Sequence, residues 1–205
     1  MNINDVEEVV GPEHGDYLKA IFEKQRELAL KYHPIEAKSG LLQTTDFPVN
    51  LHDPAGQARL KDLAWRTIEE LGEATECIDT DKEHFREELI DALHFFVELL
   101  LSAGMDYPDF PMLENIHSDL LKSVRINDAL WLFTEALSLS MNCLKNKPWK
   151  QTHMETDVNY FKTKLDNSFV AFIGMLKSAD LSPEDIYNYY FKKNAVNQFR
   201  QRSNY

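Results

Sequence analysis

The sequence predicts an all-α protein, a helical bundle with a carboxylate metal site between two consecutive antiparallel helices. Three observations lead there. Apolar residues recur at helical spacing along most of the chain, and no stretch alternates as a half-buried strand would. Start signals precede the periodic runs at Asp53-Pro54, at Thr80 with Glu83, and at Ser182-Pro183. Acidic pairs three residues apart fall on two successive helices, Glu70 with Glu73 and Glu88 with Asp91.

The elements follow in order. Tyr17, Leu18, Ile21, Phe22, Leu28 and Tyr32 trace one face of a first helix over 17–32. His33-Pro34 should end it, because proline disfavours a helical predecessor. Residues 34–52 carry Pro, Gly, Thr and Asn without period and read as a long loop. Asp53-Pro54 gives an N-cap with proline at the first helical position, opening a helix to about Ile78. A capping box of Thr80 and Glu83 opens the next, which Gly104 stops. Further helices are expected over about 111–125, 128–145 and 155–178, and a last one over 183–201.

At 205 residues and 23.8 kDa the chain suits a single domain, 1–205, with about 105–180 as its less typical helical portion. A formal net charge of −12 argues against nucleic acid and anionic membranes as partners. Cys77 and Cys143 are the two cysteines, with no CxxC, so neither a disulfide framework nor a cysteine zinc site is supported. The N-terminus lacks the basic and apolar segments of a signal peptide, and the most apolar run is interrupted by Glu98. A cytoplasmic protein is the expectation.

Positions three apart share a helix face, so Glu70 and Glu73 form one pair and Glu88 and Asp91 another. Two helices joined near Asp79–Asp81 run antiparallel and can bring the pairs together. Four converging carboxylates repel one another unless neutralised, and a hard divalent cation, Mg²⁺ or Mn²⁺, resolves the repulsion. Glutamate is also a good helix former, and an acidic face is often only solvated. Against that, the pairs sit beside Leu71, Ala74, Leu89, Ile90 and Leu93, and no lysine occurs within 66–79. Glu69, Glu76 and Glu87 read as solvent-facing or as supporting the ligands. His94 reads first as a hydrogen-bonded core histidine, and Glu98 as a group on the Asp91 stripe that orients a ligand or a water.

Near the C-terminus, Lys193, Asn197 and Arg200 stand at i, i+4 and i+7, which stacks them along one face. Basic residues are favoured at a helix C-terminus in any case. Paired with an upstream metal site, however, Lys, an amide and Arg supply the grip for phosphate oxygens.

EELGE at 69–73, EELIDALHFF at 87–96 and KNAVNQFRQ with Tyr205 at the end together resemble the all-α nucleoside triphosphate pyrophosphatases. These include the dimeric dUTPases, the phage and eukaryotic dCTPases and MazG-type enzymes. The last segment looks like the KNxxNxxRQ signature of the dimeric dUTPase and phage dCTPase branch. The likeness covers 54–103 and the last helix, is weaker at 17–32, and over about 105–180 extends only to helical character. It implies hydrolysis of a deoxynucleoside triphosphate, dUTP first, to monophosphate and pyrophosphate, in a homodimer. Glu70, Glu73, Glu88 and Asp91 would hold Mg²⁺, with Glu70 or Glu73 also activating the attacking water. Lys193, Asn197 and Arg200 would contact phosphate, with Asn194 and Tyr205 in support, and Gln25 would contact the base. The uridine branch carries Asn four positions after that Gln, where this chain has Ala29, and a terminal Gly-Tyr where it has Asn204-Tyr205. The same reaction on dCTP or a modified pyrimidine nucleotide is therefore the alternative. A non-catalytic helical binding or regulatory dimer is the alternative of another class.

Overall fold

The structure, a computed structural model, describes residues 16–40, 44, 46–111, 113, 124–147 and 150–202. The described residues form six α-helices and no strand: α1 (Tyr17–Lys38), α2 (Pro54–Cys77), α3 (Lys82–Ser102), α4 (Ile126–Asn142), α5 (Val158–Ser178) and α6 (Pro183–Arg202). A 3₁₀ turn spans Tyr107–Asp109. The all-α expectation holds. The helix expected over about 111–125 lies largely outside the described residues.

Two helix pairs carry the packing, α2 against α3 and α4 against α5, while α1 and α6 pack on each other and both on α3. The short turn between α2 and α3 makes them antiparallel neighbours. An aromatic cluster ties α3, α4 and α5: Phe96 meets Phe133 edge-on at 5.2 Å and stacks on Phe172 at 4.9 Å between ring centres. Such pairs add to the burial of large apolar rings. Phe110, just past the 3₁₀ turn, sits between Phe22 of α1 and Phe169 of α5.

The caps explain where helices begin. Asp16, Asp53 and Asp157 each accept from a backbone N–H of the first turn, with Pro54 opening α2. At α2 the preceding loop passes so close that a Cβ on Gly56 would lie 2.3 Å from the Asn50 carbonyl oxygen, which requires glycine there. The capping box assigned to Thr80 and Glu83 does not form. The Thr80 N–H still closes the turn after α2 by donating to the Cys77 carbonyl, and the extended backbone of an N-cap falls on Asp81, which accepts from the His84 N–H. Glu83 instead pairs with Arg86 and accepts from the Tyr189 hydroxyl.

The first helix does not stop at His33. It runs through Pro34 to Lys38. Pro34 is exposed, so the helical bond it cannot make is lost on the solvent side. The turn beyond it is held by Glu36, which accepts from Arg59 at 2.7 Å and from Arg66 at 3.0 Å on α2. A long-range ion pair has overridden a local break.

No helix among the described residues is long and apolar enough to cross a membrane. Phe96 is fully buried at the junction of three helices, so Phe96→Ala is expected to cost about 3–5 kcal/mol of unfolding free energy in a denaturant titration. A loss below about 1 kcal/mol would show that the three-helix junction does not bear on stability.

Candidate functional site

α2 and α3 bring their acidic faces to one wall of a cavity of about 860 Å³, with α1 and α6 forming the others. Glu70 and Glu73 come from α2, Glu88 and Asp91 from α3, Gln25 from α1, and Lys193, Asn197 and Arg200 from α6. All eight were singled out in the sequence, and all eight line this one cavity.

Glu70, Glu73 and Glu88 each place a carboxylate oxygen within 4.8 Å of the others. Asp91 lies along the same wall, but its carboxylate accepts from Lys193 Nζ at 2.6 Å. That ammonium also stands 3.7 Å from Glu87, so α6 lends the acidic wall a cation. Glu88, itself buried, has His84 Nδ1 3.3 Å away.

The electrostatics follow from this crowding. Burial first, and then the charges of Asp91, Glu73 and Glu88, push Glu70 up to about 7. Glu88 is raised by burial and by Asp91, and Asp91 is raised chiefly by burial against the pull of Lys193. Burial lowers Lys193, but Asp91, Glu88 and Glu87 outweigh it and hold the ammonium above its usual range. Three clustered carboxylates offering hard oxygen donors suit a hard divalent ion, and Mg²⁺ and Mn²⁺ both fit such a set.

The opposite end of the cavity is a hydrogen-bonded network. Gln25, an exposed helix residue if read without the family resemblance, is buried. Its amide nitrogen donates to Glu98 Oε2 at 3.1 Å, while its oxygen accepts from the Tyr190 hydroxyl at 2.5 Å and lies 2.9 Å from His94 Nδ1. His94 stacks on Tyr190 at 3.9 Å between ring centres, and its burial, with Lys193 nearby, lowers it to about 3. It is thus a neutral core histidine that also lines the cavity.

Other candidates fall away from the centre. Glu69 accepts from the Trp65 indole at 2.8 Å on the exposed side of α2, and Glu76 is exposed. Asn194 is buried within α6 and accepts from Gln198 at 2.7 Å. Tyr205 lies outside the described residues. Sequence reasoning missed Arg59, Glu36, Arg66 and Tyr190. Arg59 donates to Glu98 at 2.9 Å across 39 positions of sequence, a pairing that no local spacing reveals.

Comparison with protein families adds one finding: the family model described as dUTPase matches residues 75–205. The chain belongs to the dUTPase family. That family consists of nucleotide pyrophosphohydrolases, which agrees with the enzyme class inferred from the motifs. No curated protein and no solved structure matches the chain. The dUTPase match takes in Glu88, Asp91 and the α6 residues, and it runs through the middle portion that resembled the family only in being helical. Gln25, Glu70 and Glu73 lie before it, so their place rests on the geometry of the cavity.

A pH dependence follows for the metal-free protein. Glu70 binds its proton more tightly folded, at about 7, than at its ordinary 4.5, so its contribution to stability is present at low pH and is lost as pH rises through 7. In chelator, the melting temperature is expected to fall between about pH 5 and pH 7, with Glu70→Gln flattening the slope. An identical slope in the variant would show that Glu70 is not the group responsible.

Proposed function

We propose that the protein hydrolyses a deoxynucleoside triphosphate, dUTP foremost, to the monophosphate and pyrophosphate with the help of a divalent cation. The observation that carries this is the meeting of an acidic cluster, a row of phosphate-gripping groups and a buried amide around one cavity, in a chain of the dUTPase family.

In this reading Glu70, Glu73, Glu88 and Asp91 hold the ion, Mg²⁺ or Mn²⁺. When bound, the ion neutralises the triphosphate and acidifies water. Lys193 leaves Asp91 for a phosphate oxygen, and Asn197 and Arg200 donate to others from the same wall. Water breaks a phosphoanhydride bond, and its proton passes to a carboxylate of the acidic wall. Glu70 or Glu73 is suited to that step, because both carboxylates stand in the cluster where the ion and its water would sit. Gln25 meets the base at the far end. Because Ala29 stands where the uridine branch carries Asn, dCTP or a modified pyrimidine nucleotide is the second reading of the substrate.

The homodimer is part of the same proposal, with the exposed apolar residues of α4 as its contact face. Leu130, Phe133 and Leu137 are buried within the chain's own core. Trp131, Leu132 and Leu139 remain exposed on α4, with the Trp131 side 69% accessible, and would be covered by a second copy. Light scattering on the eluting protein is expected to show a dimer, with Trp131→Glu shifting it toward monomer. A monomeric parent protein would remove this part of the proposal.

Activity is tested with a panel of dUTP, dCTP, dTTP and the purine counterparts, following pyrophosphate release with Mg²⁺. dUTP is expected to turn over fastest, and Glu73→Ala is expected to lower kcat/KM by about 100-fold or more. Failure to release pyrophosphate from any of them would sink the enzyme reading.

A further inference from the structure

Behind Gln25 lies a chain of groups that the proposed reaction leaves without a role. Arg59 on α2 and Glu98 on α3 are both buried. Arg59 donates to Glu98 Oε1 at 2.9 Å and to Glu36 Oε2 at 2.7 Å, while Glu98 Oε2 accepts from the Gln25 amide nitrogen at 3.1 Å. Of the three partners of the Gln25 amide, two could serve it in either direction. A tyrosine hydroxyl donates or accepts, and an imidazole does so by changing tautomer. An ionised carboxylate can only accept. Glu98 therefore decides which way the amide faces. Turning the amide over would set its oxygen against the carboxylate.

The Glu98 carboxylate is paired with Arg59, whose guanidinium meets it at 2.9 Å and favours its charged, accepting form. Burial pushes Glu98 upward, Glu36 adds to this, and the Arg59 guanidinium is the largest influence opposing them. Once Glu98 is fixed as an acceptor, both lone pairs of the Gln25 oxygen are committed to Tyr190 and His94. One amide N–H is spent on Glu98, and no second bond to Gln25 nitrogen exists among the described residues. A single N–H donor is left for whatever enters the cavity that Gln25 lines.

We infer that Arg59 is a positioning residue: acting through Glu98, it sets the direction of the Gln25 amide so that the pocket offers the base a hydrogen-bond donor. This rests on the reading of the cavity as a deoxynucleotide pocket with Gln25 at the base end. A donor at that point accepts a ring carbonyl, as at the 4-position of uracil, and rejects the amino group that cytosine carries there. The orientation lock supplies discrimination that Ala29, lacking a polar group, cannot.

The test compares kcat/KM for dUTP and dCTP in the parent protein, Glu98→Gln, Arg59→Met and Arg59→Lys, with Mg²⁺ present. The parent is expected to prefer dUTP. Glu98→Gln, nearly isosteric, can donate or accept and so frees the Gln25 amide to turn over; the dUTP to dCTP ratio is expected to fall by about tenfold or more. Arg59→Met should lower the ratio in the same direction, and Arg59→Lys, which keeps the charge, should restore most of it. If Arg59→Met does not fold, Glu98→Gln decides the matter alone. An unchanged ratio in folded Glu98→Gln, or a parent preferring dCTP, overturns the inference while leaving hydrolysis intact. A parent that turns over no deoxynucleotide overturns both.

Discussion

The constraint on which the rest depends is the mutual repulsion of carboxylates at the seam of α2 and α3. Glu70, Glu73 and Glu88 are brought within 4.8 Å by helices whose apolar faces lock together through fully buried Leu63, Ala74 and Leu89. Glu70 and Glu88 are partly or fully buried there, so burial and neighbouring charge make them hold their protons more tightly than usual. Lys193 relieves part of the strain from the opposite wall, and for that reason α6 has to dock where it does. The helix that carries Lys193, Asn197 and Arg200 is positioned in part by the charge of the cluster it faces.

The two ends of the cavity solve the problem of buried charge differently. At the acidic wall compensation is incomplete, with Lys193 the cation set against Glu87 and Asp91. At the base end it is nearly complete: Arg59 and Arg66 meet Glu36 and Glu98 in a connected set, and Gln25 closes the network with neutral groups. Breaking such a set from one side leaves an uncompensated buried charge, which costs far more than the intact pair contributes. The Gln25 side of the cavity is therefore held by paired groups, where the acidic wall keeps uncompensated charge.

This difference also decides what could be read from the sequence. Glu70 with Glu73, and Glu88 with Asp91, announce themselves because an i, i+3 spacing on a helix is a statement about shared faces. Lys193, Asn197 and Arg200 do the same at i, i+4 and i+7. The convergence of these local patterns on one cavity was legible because the turn between α2 and α3 is short. Arg59, Glu36 and Tyr190 carry no such mark: each acts across distant stretches of chain, and Glu36 stood in a segment that Pro34 suggested was loop. The same pair that escaped notice, Arg59 with Glu36, is what carries α1 past its proline. Thr80 shows the reverse error, a correct local signal outcompeted one residue later by Asp81.

His94 shows how the two kinds of information combine. Three residues past Asp91, it sits where a ligand could, yet the bland reading of a core histidine was the better one. Burial strips its charge, and stacking on Tyr190 fixes its ring. The ring nonetheless lines the cavity. A histidine that does not become cationic near neutral pH adds no positive charge to the cavity wall. It stands instead as a neutral ring, stacked on Tyr190 and bonded to the Gln25 oxygen, so the amide network reaches the cavity wall without adding charge to it.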